Sequence, residues 1–175
     1  PLAGGALDER GAVEVGRLRM AAVMLADTKT REALPVATAG RTAEYFETVR
    51  ISIDDVPQGR STIGTAIRMG RHNICDDIAN DPRMSPWREA ALERGYLSTA
   101  SFPLKVNCLT IGVLGFFANR TGFFDTQETR LLDELAANLS YALEFLQQEE
   151  GRKKAEAQLR ESEEKYRLLA DNTVD

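Results

Sequence analysis

Residues 97–118 read LSTASFPLKVNCLTIGVLGFFA. Two apolar runs, Leu97 to Val106 and Leu109 to Ala118, flank Asn107 and Cys108. Runs rich in branched and aromatic residues around a two-residue break predict an antiparallel hairpin with a tight turn. Successive side chains on a strand point to opposite faces. In the first run one parity carries Ala100, Phe102 and Leu104, and the other carries Thr99 and Ser101. In the second, Gly112, Leu114 and Phe116 alternate with Ile111, Val113, Gly115 and Phe117. One face of the pair is therefore dry enough to be a core. The other mixes hydroxyls with the gap left by Gly115. A roomy, half-polar sheet face under loops and short helices is the usual setting of a small-molecule pocket.

Downstream of the hairpin, Phe123, Phe124 and Asp125 lead into a long helix, with Asp125 or Thr126 as its cap and Glu128 in its first turn. Leu131, Leu132, Leu135, Leu139, Ala142, Leu143 and Leu146 recur at helical spacing, which predicts a stripe packed on the globular body. From Gln147 to Leu169 the helix turns charged, and Ala155, Leu159, Tyr166, Leu168 and Leu169 are its sparse apolar contacts. At ~1.5 Å per residue the whole spans roughly 65 Å, more than the body needs. Such a helix is expected to touch a neighbour. Leu135, Leu139, Ala142 and Leu146 step by four, three and four, as a coiled coil does. The same count then falls on Glu149, Lys153 and Glu156, while Leu159, Ser162, Tyr166 and Leu169 begin a new seam out of phase. A phase break of this kind is a place where two packings lie close in energy.

Upstream, Leu18 to Leu25 and Glu32 to Ala39 read as strands around a turn at Asp27 to Thr30. Arg41 to Val49 holds a short helix, and Arg50 to Ile53 an extended piece. Ser61 caps a helix that runs to Met69 and stops at Gly70. His72 to Asp76 is a third strand, Asn80-Asp81-Pro82 a turn, and Trp87 to Arg94 a helix ended by Gly95. Paired strands with helices between them predict an α+β fold: a central antiparallel sheet with helices on both faces and a long C-terminal helix. Three stretches are expected: a lead-in or partial helix over 1–17, a domain over 18–146, and a charged helical linker over 147–175.

The chain has 175 residues, 43% of them hydrophobic, enough for one domain with a real core plus an appendage. Its net charge of −5 favours neither nucleic acid nor an anionic membrane as partner. No apolar run approaches the ~20 residues that span a bilayer. There is no signal peptide in the sequence, which begins at Pro1 without Met, as an excised fragment would. Cys75 and Cys108 form neither a metal nor a redox motif and fit a reducing, cytoplasmic compartment.

With these residues in place, the chain resembles a GAF domain. The resemblance rests on residues 61–71 (STIGTAIRMGR), Ile74 to Ile78 followed by Asp81-Pro82-Arg83, Gly95-Tyr96-Leu97-Ser98, Phe102-Pro103-Leu104, Ile111 to Leu114, and Phe123 and Asp125 ahead of the helix. These pieces come in the family's order from about Leu18 to Leu146. Residues 159–169 (LRESEEKYRLL) are similar to the helical lead-in of a PAS domain. The resemblance implies a regulatory small-molecule-sensing module of a bacterial signal transduction protein, a sensor histidine kinase of a two-component system or a cyclic-di-GMP enzyme. The implied partners are an unidentified small molecule, a downstream PAS or output domain in the same chain, and a second copy in a homodimer. The ligand and any cofactor stay unnamed. The alternative is a dimerisation scaffold whose vestigial pocket binds nothing.

The resemblance places the Thr99 and Ser101 parity toward the ligand cavity; otherwise the two hydroxyls line a face that binds nothing specific. Phe117 shares that face, and Trp87 sits on the short helix expected to cover it. The two could stack on a planar ligand or simply be core. Asp77, with Asp76, either accepts hydrogen bonds at the pocket mouth or stabilises the turn that follows. Asp81 adds a third acid, without the alternating spacing of a calcium loop. His72, the single histidine, is expected to face solvent and is too few ligands for haem or zinc. Relatives that carry a bilin pair a cysteine with a histidine, and no histidine adjoins Cys75 or Cys108. Nor do the two cysteines reproduce the set used by the free-methionine sulfoxide reductases of this fold. With no nucleophile–base pair and no phosphate-cradling loop, the chain is not expected to be an enzyme.

Overall fold

The computed structural model describes residues 18–40 and 44–171. The expected lead-in over 1–17, part of the short helix expected from Arg41, and the end of the linker lie outside them. The elements, in order, are β1 (Leu18–Asp27), β2 (Glu32–Gly40), α1 (Tyr45–Thr48), α2 (Thr62–Met69), β3 (Asn73–Cys75), α3 (Arg88–Glu93), β4 (Ser98–Val106), β5 (Leu109–Ala118) and α4 (Thr126–Asp171). Single 3-10 turns at Pro57–Gly59 and Pro82–Met84 punctuate the loops. The five strands form one antiparallel sheet in the order β2-β1-β5-β4-β3.

The hairpins form where the turn chemistry says they should. Asp27 accepts from the Lys29 and Thr30 backbone N–H groups at 2.8 and 3.3 Å, closing the β1–β2 turn. Asn107 and Cys108 both adopt positive φ, 50° and 64°, the left-handed pair that a two-residue hairpin turn demands. The register then sets Thr99 opposite Phe117, Ser101 opposite Gly115, and Phe102 opposite Leu114. The outer strand β2 carries a bulge between Val23 and Met24 of its partner, beside Pro35.

The alternation separates two cores. Met20, Ala22, Met24, Val113 and Phe117 face a cover built from α1, α2, α3 and the loops between them. Ala100, Phe102, Leu104, Leu114 and Phe116 face the other way, toward Phe123, Phe124 and α4. Helix α2 starts at Ser61, whose hydroxyl accepts from Gly64 N–H, and ends at Gly70 in the left-handed conformation. Its Gly64 is required by close approach, since a Cβ there would run into the Gly59 and Ser52 carbonyl oxygens.

The long helix is present from Thr126 to Asp171, 46 residues. Asp125 caps it, accepting from Gln127 and Glu128 N–H at 2.8 and 3.1 Å. Its docking face differs from the expected one. Leu131, Leu135, Leu139 and Leu146 are exposed; Ala136 is the buried residue, and Leu132 packs beside it. Besides Leu132, the helix is held by Asp133, Ala136 and Ser140. Asp133 lies 2.8 Å from His72 Nδ1, and Ser140 accepts a 2.9 Å hydrogen bond from the Lys105 backbone N–H. His72 is exposed, as expected, and is also tied to the helix. The helix meets the β4 end of the sheet, where residues Phe102 to Val106 extend past short β3. Leucines on the far flank cannot reach it.

Candidate functional site

Thr99, Ser101 and Phe117 share the cover-side face of β4 and β5, as their register requires. Thr99 is fully buried and its hydroxyl donates to the Phe116 carbonyl at 2.9 Å. Ser101 is also fully buried, and its hydroxyl donates at 3.0 Å to that of Thr62, the first residue of α2. The space opposite Ser101 is taken up by α2 as well: a Cβ on Gly115 would meet Ile63 at 3.9 Å, an ordinary contact.

Phe117 belongs to a ring cluster. Its centroid lies 4.9 Å from Tyr96, 5.5 Å from Tyr45 and 6.2 Å from Phe46. Arg94 stands over the Tyr45 ring at 5.5 Å, and the Tyr96 hydroxyl meets the Met20 sulfur at 3.4 Å. Burial pushes both phenols up, Tyr96 to about 12, so each is a neutral, uncharged lining group. Trp87 caps α3 and is buried in the same core, its indole N–H donating to the Arg50 carbonyl at 3.0 Å. Asp77 stands apart in the loop after β3. Its two oxygens accept from Ala79 N–H at 3.0 Å and Asn80 Nδ2 at 2.7 Å. That is the turn-forming arrangement weighed above.

Thr62, Tyr45 and Tyr96 were not singled out from the sequence. Strand parity exposes Thr99 and Ser101 but says nothing of which helix end meets them. Only Tyr96, two residues before β4, carried a local signal. Below the loop, Arg83 reaches Asp81, Asn73 Oδ1 at 3.1 Å and the Ile74 carbonyl at 3.0 Å, fastening the 3-10 turn to β3. The Arg83 hydrogen bonds hold the Asp81 carboxyl below its usual range.

Cys75 is buried on β3, and burial, with Asp81 nearby, pushes its thiol up to about 12. A thiol held that high is a poor nucleophile at neutral pH. Cys108 is exposed at the β4–β5 turn. Cys75 pairs with Thr99, eight residues from Asn107 along β4. The two sulfurs are therefore on the order of 25 Å apart at ~3.3 Å per residue, well beyond disulfide reach. Among the described residues, no group of three or more His, Cys, Asp or Glu side chains gathers as a metal site, and no helix is long and apolar enough to cross a membrane.

Solved structures share this fold. The GAF domain region of a Geobacter sulfurreducens PCA protein superposes with a TM-score of 0.65 at 20% identity, over 78% of this chain and 87% of that one. A domain of a Sinorhizobium meliloti 1021 protein assigned as a two-component sensor histidine kinase gives 0.61 at 15% identity, over 83% of this chain and 92% of that one. A free methionine-R-sulfoxide reductase from Neisseria meningitidis, in complex with its substrate, gives 0.61 at 23% identity, over 76% and 71%. The fold thus serves both signalling proteins and an enzyme. No curated protein sequence matches the chain. A GAF domain family model matches residues 9–144, more than three quarters of the chain, and the chain belongs to the GAF domain family.

Proposed function

We propose that the chain is the regulatory, non-catalytic sensor module of a cytoplasmic signal transduction protein, a sensor histidine kinase or a cyclic-di-GMP enzyme. In this reading residues 18–146 sense and residues 147–175 lead toward a PAS-like or output domain of the same chain, across a homodimer. A small molecule enters between the sheet and its cover and meets Thr99, Ser101, Phe117 and Trp87, with Asp77 near the mouth.

The observation that carries this reading is the Ser101–Thr62 hydrogen bond, two buried hydroxyls joining β4 to the start of α2. A polar ligand can take over such a bond without leaving either hydroxyl unpaired. Once it does, α2 loses this hydrogen bond to the sheet and is held there by the packing of Ile63, Ala66 and Ile67 alone. The other end of α2 leads through Gly70 and Arg71 to His72, which holds α4. The same strand that carries Ser101 also holds α4 through Lys105. Helix position and ligand are thereby coupled, provided the ligand prefers one helix arrangement over the other. The neutral, buried Cys75 and its distance from Cys108 support a binding role over a thiol-based reductase.

A second reading has its own support. The four-ring cluster of Tyr45, Phe46, Tyr96 and Phe117 fills the cover side with bulky side chains, as a scaffold with a vestigial pocket would.

A thermal-shift screen against nucleotides, aromatic acids and amino acids separates the two. A ligand at 100 times its dissociation constant adds about 2.7 kcal/mol of stability. A concentration-dependent shift abolished by enlarging Ser101 supports the sensor. No shift across the panel, with an unchanged dimer, supports the scaffold.

A further inference from the structure

Residues 135–148 contain one charged side chain, Glu144, whereas residues 149–156 contain six. An uncharged helical segment is normally covered on most sides. Here the body occupies one side only, through Asp133, Ala136 and Ser140. Leu135, Leu139 and Leu146 are left in solvent, as are Tyr141 and Phe145, with Tyr141 76% exposed. A contiguous apolar surface of this kind marks an interaction site. Leu135, Leu139, Ala142 and Leu146 repeat at heptad spacing. Their flanking positions, Ala136, Asn138, Leu143 and Phe145, are uncharged, so no like charges oppose an identical helix.

The second seam, Leu159, Ser162, Tyr166 and Leu169, lies on a different side. Thirteen residues separate Leu146 from Leu159, and at about 100° per residue the two point roughly 140° apart around a straight helix. One partner helix cannot engage both seams unless the helix breaks or rewinds between them. Gly151 stands in that interval. A Cβ there would meet nothing within 4 Å, so packing gives no reason for a glycine. A glycine in an exposed helix interior makes local opening cheaper. The ion pairs of Arg152 with Glu149 and Glu156 run across the interval, and they are solvent-exposed and weak.

We infer that the face of Leu135, Leu139, Ala142 and Leu146 takes a second copy of this chain in parallel, and that α4 opens at Gly151 in that dimer so that Leu159 to Leu169 turns onto the same axis. The parallel sense follows from the second seam: an antiparallel pair at residues 135–146 sends the two distal segments in opposite directions and leaves both uncovered. The inference rests on the homodimer of the proposed function but not on any ligand, so a failed ligand screen leaves it standing.

The test uses the full chain with Cys108→Ser, carrying either Ala142→Cys or Ser162→Cys, both at seam positions that tolerate a small side chain. Mild oxidation is expected to give disulfide-linked dimers at both positions. Adding Gly151→Ala is expected to leave the Ala142→Cys crosslink unchanged and to lower the Ser162→Cys crosslink several-fold. Without the cysteines, the same Gly151→Ala change is expected to slow amide exchange over residues 149–153 about fivefold. A chain that sediments as a monomer and gives no Ala142→Cys crosslink overturns the second-copy assignment, including the case where residues 1–17 cover this face. Crosslinking at Ser162→Cys that is indifferent to Gly151→Ala, or exchange at 149–153 as slow as at 135–146, overturns the break.

Discussion

The Ser140 hydroxyl accepts from the Lys105 backbone N–H at 2.9 Å and donates to the Ala136 carbonyl at 2.7 Å. One side chain thus closes the part of β4 that has outrun β3 and pins the rotation of α4 on the sheet. Replacing it with alanine leaves the Lys105 N–H without this partner in a half-buried place. Ser140→Ala is expected to lower unfolding stability by about 1–2 kcal/mol in a denaturant titration. It should also speed amide exchange at Lys105 and along residues 129–143 relative to β1 and β5.

Ser101→Ala removes the link from β4 to α2 and is expected to cost about 1–2 kcal/mol in the same titration, with α2 amides exchanging faster. Thr99→Val keeps the shape and removes the donor to the Phe116 carbonyl, for a loss of about 1 kcal/mol. Equal effects of both changes on α2 exchange would argue against a specific tie between Ser101 and Thr62.

Alkaline pH should destabilise the fold. The Cys75 thiol has an ordinary value of 9.0 and Tyr96 one of 10.0, and in the folded chain both are raised to about 12. Between these values the folded chain keeps protons that the unfolded chain has released, so stability is full below about pH 9 and falls as pH rises toward 12. Thermal midpoints measured across that range check the direction. Cys75→Ala, whatever its effect at neutral pH, is expected to flatten the alkaline slope.

On the acid side the sign reverses. Asp81 is depressed from its ordinary 3.8 by hydrogen bonds from Arg83, so its stabilisation is present above that value and is lost as pH falls through the folded one. Asp81→Asn is expected to lower stability at neutral pH and to narrow the gap to wild type at the acid end. Midpoints at matched ionic strength would show it.

The two cysteines should separate cleanly by reactivity. Cys108 is exposed and Cys75 buried, so a maleimide should label one thiol per folded chain and both after denaturation. Mass spectrometry of the labelled peptides decides it. Rapid labelling of Cys75 in the folded chain would mean that the β3 edge opens readily.

Much of this architecture was legible from local pattern. The Thr99–Ser101 and Ala100–Phe102–Leu104 parities identified the two faces of β4, because period-two alternation is a property of the strand alone. Ser61, Gly70 and Asp125 marked helix ends for the same reason. The docking of α4 was legible only in part. Hydrophobic periodicity pointed to the leucines, of which Leu132 packs on the core, but the fastening hydrogen bonds are made by Asp133 and Ser140, whose partners are a histidine 61 residues away and a backbone N–H 35 residues away. Hydrogen bonds to distant backbone leave no periodic trace. The candidate site was legible in part: parity placed Thr99, Ser101 and Phe117 together, whereas Thr62 depends on how α2 settles on the sheet.

Pro35 has a consequence for how copies of this protein meet. It sits on the outermost strand, next to a bulge, and brings no N–H to a margin where Leu34 and Val36 lie open. A neighbouring chain that tried to extend the sheet there would find a gap in the hydrogen-bond ladder and a bent rim. Runaway strand stacking, the route to amyloid-like polymer, is discouraged at the border where greasy side chains would otherwise invite it.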